Sequence, residues 1–174
     1  MKRQQAYIRL REEIKKLKTE ENKHSALEVF IPLDVIALEG GHFRGRTRLQ
    51  KLVFLIQKKL KDPIYYEFEK AQWGPLSYQL YSCINRLISI NMVKETTKST
   101  PSGNTVVCYE LTEEGKTFLD YLLKKKMVPI SIRRTVKKVY IDYGSLSIVD
   151  LLKKVHKEYP EFVENSENLP FSIT

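Results

Sequence analysis

The segment from Thr47 to Gly115 constrains the fold more than any other part of the chain. Leu49, Leu52, Val53, Ile56 and Leu60 share one helical face behind Thr47-Arg48-Leu49-Gln50, a spacing that predicts a capping box. Gly74-Pro75 then predicts the start of a second helix, with proline at the first position, where no amide hydrogen is needed. Leu76, Leu80, Cys83, Leu87 and Ile90 gather on its inner side, and Tyr78, Tyr81, Ser82, Asn85 and Ser89 on its outer side. Met92–Lys98 and Thr105–Leu111 read as strands around a Pro101-Ser102-Gly103-Asn104 turn. Leu111-Thr112-Glu113-Glu114-Gly115 opens a further helix, continued inward by Phe118, Leu119 and Leu122. Helix, helix, hairpin and helix in this order predict a winged helix-turn-helix core in an α+β, mostly helical chain.

The flanking segments add helices. Residues 4–23 carry Tyr7, Leu10, Ile14 and Leu17 as a narrow stripe of two heptads, which fits either a helix docked on the body or a dimerisation arm. Ser25-Ala26-Leu27-Glu28 predicts a capping box for a helix reaching Glu39, with a break or restart at Pro32 and a stop at Gly40-Gly41. Lys51 and Lys58 lie opposite the apolar face of the next helix. Phe54 lies on their side, which predicts contact with another element or with a second subunit of a homodimer. Ile64–Glu69 alternates as a short strand. Ser131–Asp142 predicts a helix with Ile132, Val136, Val139 and Tyr140 inward, stopped by Gly144. Ser147-Ile148-Val149-Asp150 caps another, ended by Pro160. The expected organisation is a charged N-terminal helix over 1–24, a winged-helix domain over 25–126, a helical extension over 127–160 and an irregular tail over 161–174.

Composition excludes several classes. With 174 residues and 42% hydrophobic content, the chain suits one compact domain, or one domain with helical additions at its ends. Val29–Leu38, its longest apolar stretch, is interrupted by Pro32 and Asp34 and is too short for a membrane span. Met1-Lys2-Arg3 leads into charged residues, so the sequence reads as cytoplasmic. Cys83 and Cys108 are too few and too distant for a zinc site or a disulfide framework, and His24, His42 and His156 have no ligand spacing. Neither a metal nor another cofactor is expected.

The net charge of +9 is unevenly placed. Residues 62–111, which hold the expected recognition helix and wing, carry 4 basic and 5 acidic groups. The positive charge flanks this stretch instead of filling it.

Arg46-Thr47-Arg48-Leu49-Gln50-Lys51-Leu52-Val53-Phe54-Leu55, followed by Trp73-Gly74-Pro75-Leu76-Ser77-Tyr78-Gln79-Leu80, resembles the YwgA-like winged-helix proteins of bacteria and archaea, which are related to the Panacea group of SocA-like antitoxins. Leu111–Gly115 and Val155-His156-Lys157-Glu158-Tyr159-Pro160 fit the same pattern, so the resemblance covers about residues 30–160. It implies a winged helix with an extra strand or loop between its second and third helices. It implies no catalytic residues, and it makes an antitoxin or adaptor role plausible.

Three functional readings follow. The first is a DNA-binding protein, as in transcriptional regulation. Tyr78, Tyr81, Ser82, Asn85 and Arg86 would face a groove of double-stranded DNA, with Asn85 and Arg86 suited to base edges. Arg44, Arg46, Arg48, Lys94 and Lys98 would hold phosphates. The second is a protein-interaction module, because outward tyrosines on a helix of low charge suit a protein interface. The third, a nuclease, rests on Asp62 with Glu67, Glu69 and Lys70, or on Glu114 and Lys116, as magnesium-binding groups. Simpler roles on a strand and in a first helical turn compete with it, so the chain is not expected to be an enzyme.

Overall fold

The computed structural model describes residues 22–60, 65–100 and 103–164, together with Glu12. The heptad stripe of the N-terminal segment and the end of the tail lie outside the described residues. The elements are α1 (Asn22–Leu38), β1 (His42–Arg44), α2 (Arg46–Lys59), α3 (Tyr78–Ser89), β2 (Val93–Ser99), β3 (Thr105–Leu111), α4 (Glu113–Lys124), α5 (Ile130–Tyr143), α6 (Ile148–Glu158) and a 3-10 turn, Pro160–Phe162. The strands form an antiparallel sheet in the order β1-β3-β2. Helix, short strand, two helices and a hairpin with this strand order make a winged helix, extended by α5 and α6.

β1 was not legible in the sequence. It has three residues between Gly41 and Gly45, and only Phe43 is buried, so no alternation can develop. Phe43, Tyr109, Leu111 and Val93 turn the same sheet face to the core. α4 crosses the base of the hairpin at Gly115, where an added Cβ would lie 2.1 Å from the Met92 carbonyl oxygen. Only glycine fits there.

α1 corrects two expectations. It is already helical at Asn22, so Ser25–Glu28 lies inside the helix and does not mark its start. It also runs unbroken through Pro32. Proline lacks the N–H that would bond the Glu28 carbonyl one turn earlier. That carbonyl instead accepts from the Tyr66 hydroxyl and, at 3.8 Å, from the Cys83 thiol. Burial pushes the Cys83 thiol up to about 11, which keeps it protonated and able to donate.

α2 departs further from its sequence pattern. It starts at Arg46 on Gly45, without a side-chain cap, so the Thr47–Gln50 box does not form. Gln50 and Lys51 are buried instead, as are all residues from Leu49 to Ile56. Phe54 meets the rings of Phe68, Tyr159 and Phe162 edge-on, with centroids 5.0–5.2 Å away. Its partner is therefore another element of the same chain. Lys58 stays exposed, with its ammonium 4.5 Å from the Phe162 centroid.

The expected strand over Ile64–Glu69 is absent among the described residues. The Gln57 side chain holds that backbone: its carbonyl accepts from the Tyr65 and Tyr66 amides, and its amide donates to the Tyr66 carbonyl. Tyr65 and Tyr66 both enter the core as a result. The first tail residues are also tied down, since Val163 is buried and bridges to Ala71. Residues from Ala26 to Val155 share one hydrophobic cluster, with α5 on α1 and α2, and α6 on α2.

Candidate recognition surface

The position of α3 is set from behind by α2. The helix starts at Tyr78 with Ser77 as N-cap, the serine Oγ accepting from the Leu80 amide at 3.2 Å. Pro75 is therefore outside the helix, contrary to the sequence expectation. The reason is that its neighbours are held extended: Glu69 and Leu76 exchange backbone hydrogen bonds at 2.8 and 3.0 Å. Gln50 brackets Ser77, donating to its carbonyl and accepting from its amide, each at 3.0 Å. Lys51 Nζ donates to the Pro75 carbonyl at 2.9 Å. With Leu80, Cys83, Ile84 and Leu87 buried, the outward side of α3 is fully determined.

That outward side is aromatic and nearly uncharged. Tyr78 is 62% exposed and Trp73, just ahead of the helix, is 38% exposed. Ser82, Asn85 and Arg86 are exposed, while Tyr81 is half-buried with its ring 6.4 Å from that of Tyr78. Arg86 is the single charged residue of α3. Two exposed carboxylates stand near its first turn: the Glu67 amide donates to the Gln79 side chain at 2.8 Å, and Glu69 is bridged to Leu76.

The candidate phosphate contacts do not form one surface with this helix. Arg46 is exposed, but its guanidinium donates to both Glu95 oxygens at 3.1 and 3.2 Å and to the Tyr109 hydroxyl at 3.3 Å. The Tyr109 bond and Glu95 favour its charged form. Arg48 is only 15% exposed, bonds both Glu39 oxygens at 2.7 and 2.8 Å, donates to the Gly144 carbonyl and stacks 5.0 Å over Phe43. It braces α1, β1, α2 and α5 together. Arg44, Lys94 and Lys98 are exposed, on the sheet face opposite the one that enters the core. Arg44 also borders a groove of about 710 Å³ between the start of α2, β3 and the α5–α6 corner.

Behind the Trp73–Ser77 segment sits a pair that sequence reasoning missed. Lys51 is 2% exposed, the reverse of its expected outward position, and His156 of α6 is 6% exposed. Neither imidazole nitrogen has a well-aligned hydrogen bond. Burial lowers the Lys51 ammonium from 10.5 to about 7. Burial also lowers His156, the nearby Trp73 backbone partly opposes this, and Lys51 lowers it further. Lys51 follows directly on the expected capping box, and no charge or aromatic pattern marks it as buried.

Among the described residues, no group of three or more His, Cys, Asp or Glu could hold a metal ion. No described helix is long and apolar enough to cross a membrane. No protein-family model matches the chain, and no curated protein matches it.

Proposed function

We propose that this chain is a winged-helix protein-interaction module that recognises its partner through the outward side of α3 and the Trp73–Ser77 segment. The observation that carries this reading is the composition of that surface: exposed Tyr78 and Trp73, with Arg86 as the only charge on the helix. Tyrosine and tryptophan dominate interface energetics, whereas a nucleic-acid surface needs unpaired cations. Glu67 and Glu69 near the helix start oppose phosphate, and Arg46 and Arg48 are engaged within the fold. The resemblance to YwgA-like and Panacea proteins fits an antitoxin or adaptor in the cytoplasm. The test is affinity recovery with the wild type and with Trp73→Ser/Tyr78→Asp. Loss of a stoichiometric partner in the variant supports the surface; unchanged recovery from a folded variant excludes it.

A DNA-binding reading stands second, because Asn85 and Arg86 are exposed on the helix that a winged helix presents to a groove. It calls for duplex binding that weakens with salt and is lost in Asn85→Ala/Arg86→Ala. Absence of binding to genomic fragments at low salt removes it. We propose no catalytic role. Of the nuclease groups, Asp62 lies outside the described residues, and the exposed Glu67 and Glu69 act through their backbones to hold α3.

A further inference from the structure

We propose that Lys51 and His156 form a proton-operated latch beneath the Trp73–Ser77 segment, closed while the pair carries at most one positive charge and released when both are protonated. The inference concerns how α3 is positioned, so it holds whether α3 meets a protein or DNA.

The geometry places both bases under a single peptide. A Cβ built on Gly74 would lie 3.2 Å from His156 Nε2 and 3.6 Å from Lys51 Cε, so the segment rests directly on the two side chains. Gly74 has φ +79, a conformation that suits glycine. Lys51 uses one of its three donors, on the Pro75 carbonyl. That carbonyl stabilises one cation. A second cation on His156 would be buried beside the first without a counter-ion, which strongly disfavours the closed arrangement.

Among the described residues, no carboxylate offsets this. From α2 the charged group acting on His156 is Lys51, and from the segment above the neutral Trp73 backbone favours the protonated ring without outweighing burial. On α6 itself Lys157 is exposed and Lys153 is half-buried. Glu161 and Glu164 at the 3-10 turn, and Glu69 and Lys70 ahead of the segment, are all exposed. None of these bears on the protonation of either base. Release would break the Lys51–Pro75 bond and loosen the Gln50–Ser77 bracket, so the end of α3 that presents Trp73 and Tyr78 would lose its fixed orientation.

The chain has a single tryptophan, Trp73, which makes a local probe. Acrylamide quenching of Trp73 and hydrogen exchange at Gly74, Leu76 and Ser77 would be followed from about pH 8 to about pH 5, with far-UV circular dichroism and an NMR titration of the His156 ring. We expect quenching and exchange to rise together with a midpoint below the ordinary histidine value of 6.5, while helicity is unchanged. His156→Gln and Lys51→Met each abolish that transition, and in Lys51→Met the His156 ring titrates closer to 6.5. Asp34→Asn, which removes a second group titrating near 6, leaves the midpoint in place.

The latch is overturned by no transition, by the same transition in His156→Gln or Lys51→Met, by a moved midpoint in Asp34→Asn or by simultaneous loss of helicity. Should His156→Gln not fold, the wild-type ring titration decides. A shifted midpoint coincident with exposure of Trp73 supports the latch, and an unshifted or separate titration overturns it.

Discussion

Replacing Lys51 by methionine tests the cost of the buried ammonium directly. In the fold its pKa falls from 10.5 to about 7, so the unfolded chain binds more protons between these values and stability rises with pH across that window. The penalty carried by wild type is about 4 kcal/mol at pH 7 and about 1.4 kcal/mol at pH 9.5. Methionine has nearly the same length and no charge, but it forfeits the bond to the Pro75 carbonyl, worth about 0.5–1.5 kcal/mol for a neutral amine. Lys51→Met should therefore be about 2.5–3.5 kcal/mol more stable than wild type at pH 7 and within about 1 kcal/mol of it at pH 9.5. Urea unfolding followed by circular dichroism at the two pH values measures both differences. Taking the difference of differences cancels every titrating group that does not interact with Lys51, and both pH values lie above the range in which the coupled His156 charges. An identical effect of the substitution at both pH values would refute the reasoning, because it would mean that Lys51 stays charged in the fold.

Three further outcomes follow from single contacts. Tyr66→Phe removes the hydroxyl that serves the Glu28 carbonyl and should cost about 1–3 kcal/mol. In a Pro32→Ala background, where a helical amide takes over that carbonyl, the same change should cost clearly less in denaturant titrations. Gly115→Ala drives a methyl group into the Met92 carbonyl and should lower stability by more than about 3 kcal/mol, with an early loss of thermal cooperativity. Burial raises Asp34 from 3.8 to about 6, against the pull of Arg133 and Lys137, so the folded chain holds the extra proton between these values. That contribution, about 3 kcal/mol, is present in acid and lost as pH rises through 6, and Asp34→Asn should remove this part of the pH dependence of unfolding.

The elements visible in the sequence are those whose signal is local. α3, α4, α5 and the β2–β3 hairpin show apolar periodicity or turn chemistry over a few residues, and Thr112 and Ser147 cap their helices through bonds three residues long, whereas the Ser77 cap of α3 is hidden behind the stronger Gly74-Pro75 start signal. The missed features depend on contacts across the chain. β1 exists because β3 pairs with it 66 residues later at Phe43 and Tyr109. Gln50 reads as a capping residue by its spacing, but it bonds the backbone 27 residues away. Lys51 lies on the polar side of an amphipathic pattern, and only the arrival of α6 and the Trp73–Ser77 segment covers that side. The candidate arginines share this ambiguity: a basic motif shows charge but not the acceptor, and Glu39, Glu95 and the Gly144 carbonyl take up two of the three.

The aromatic cluster around Phe54 bears on the smallest piece of this chain that can fold. Its rings come from α2, from Phe68 in the connector and from Tyr159 and Phe162 at the far end. Val136, Val139, Leu151 and Val155, all fully buried, complete the same core from α5 and α6. A fragment ending at Lys126 would keep every element of a winged helix, yet it would expose one side of α2 as a contiguous apolar surface and strand the Arg48 guanidinium without one acceptor. Such a fragment should aggregate or remain molten, and the longer chain should unfold in one step. The last two helices are thus the second wall of the domain, and attempts to trim the protein to its recognition core will fail at α2.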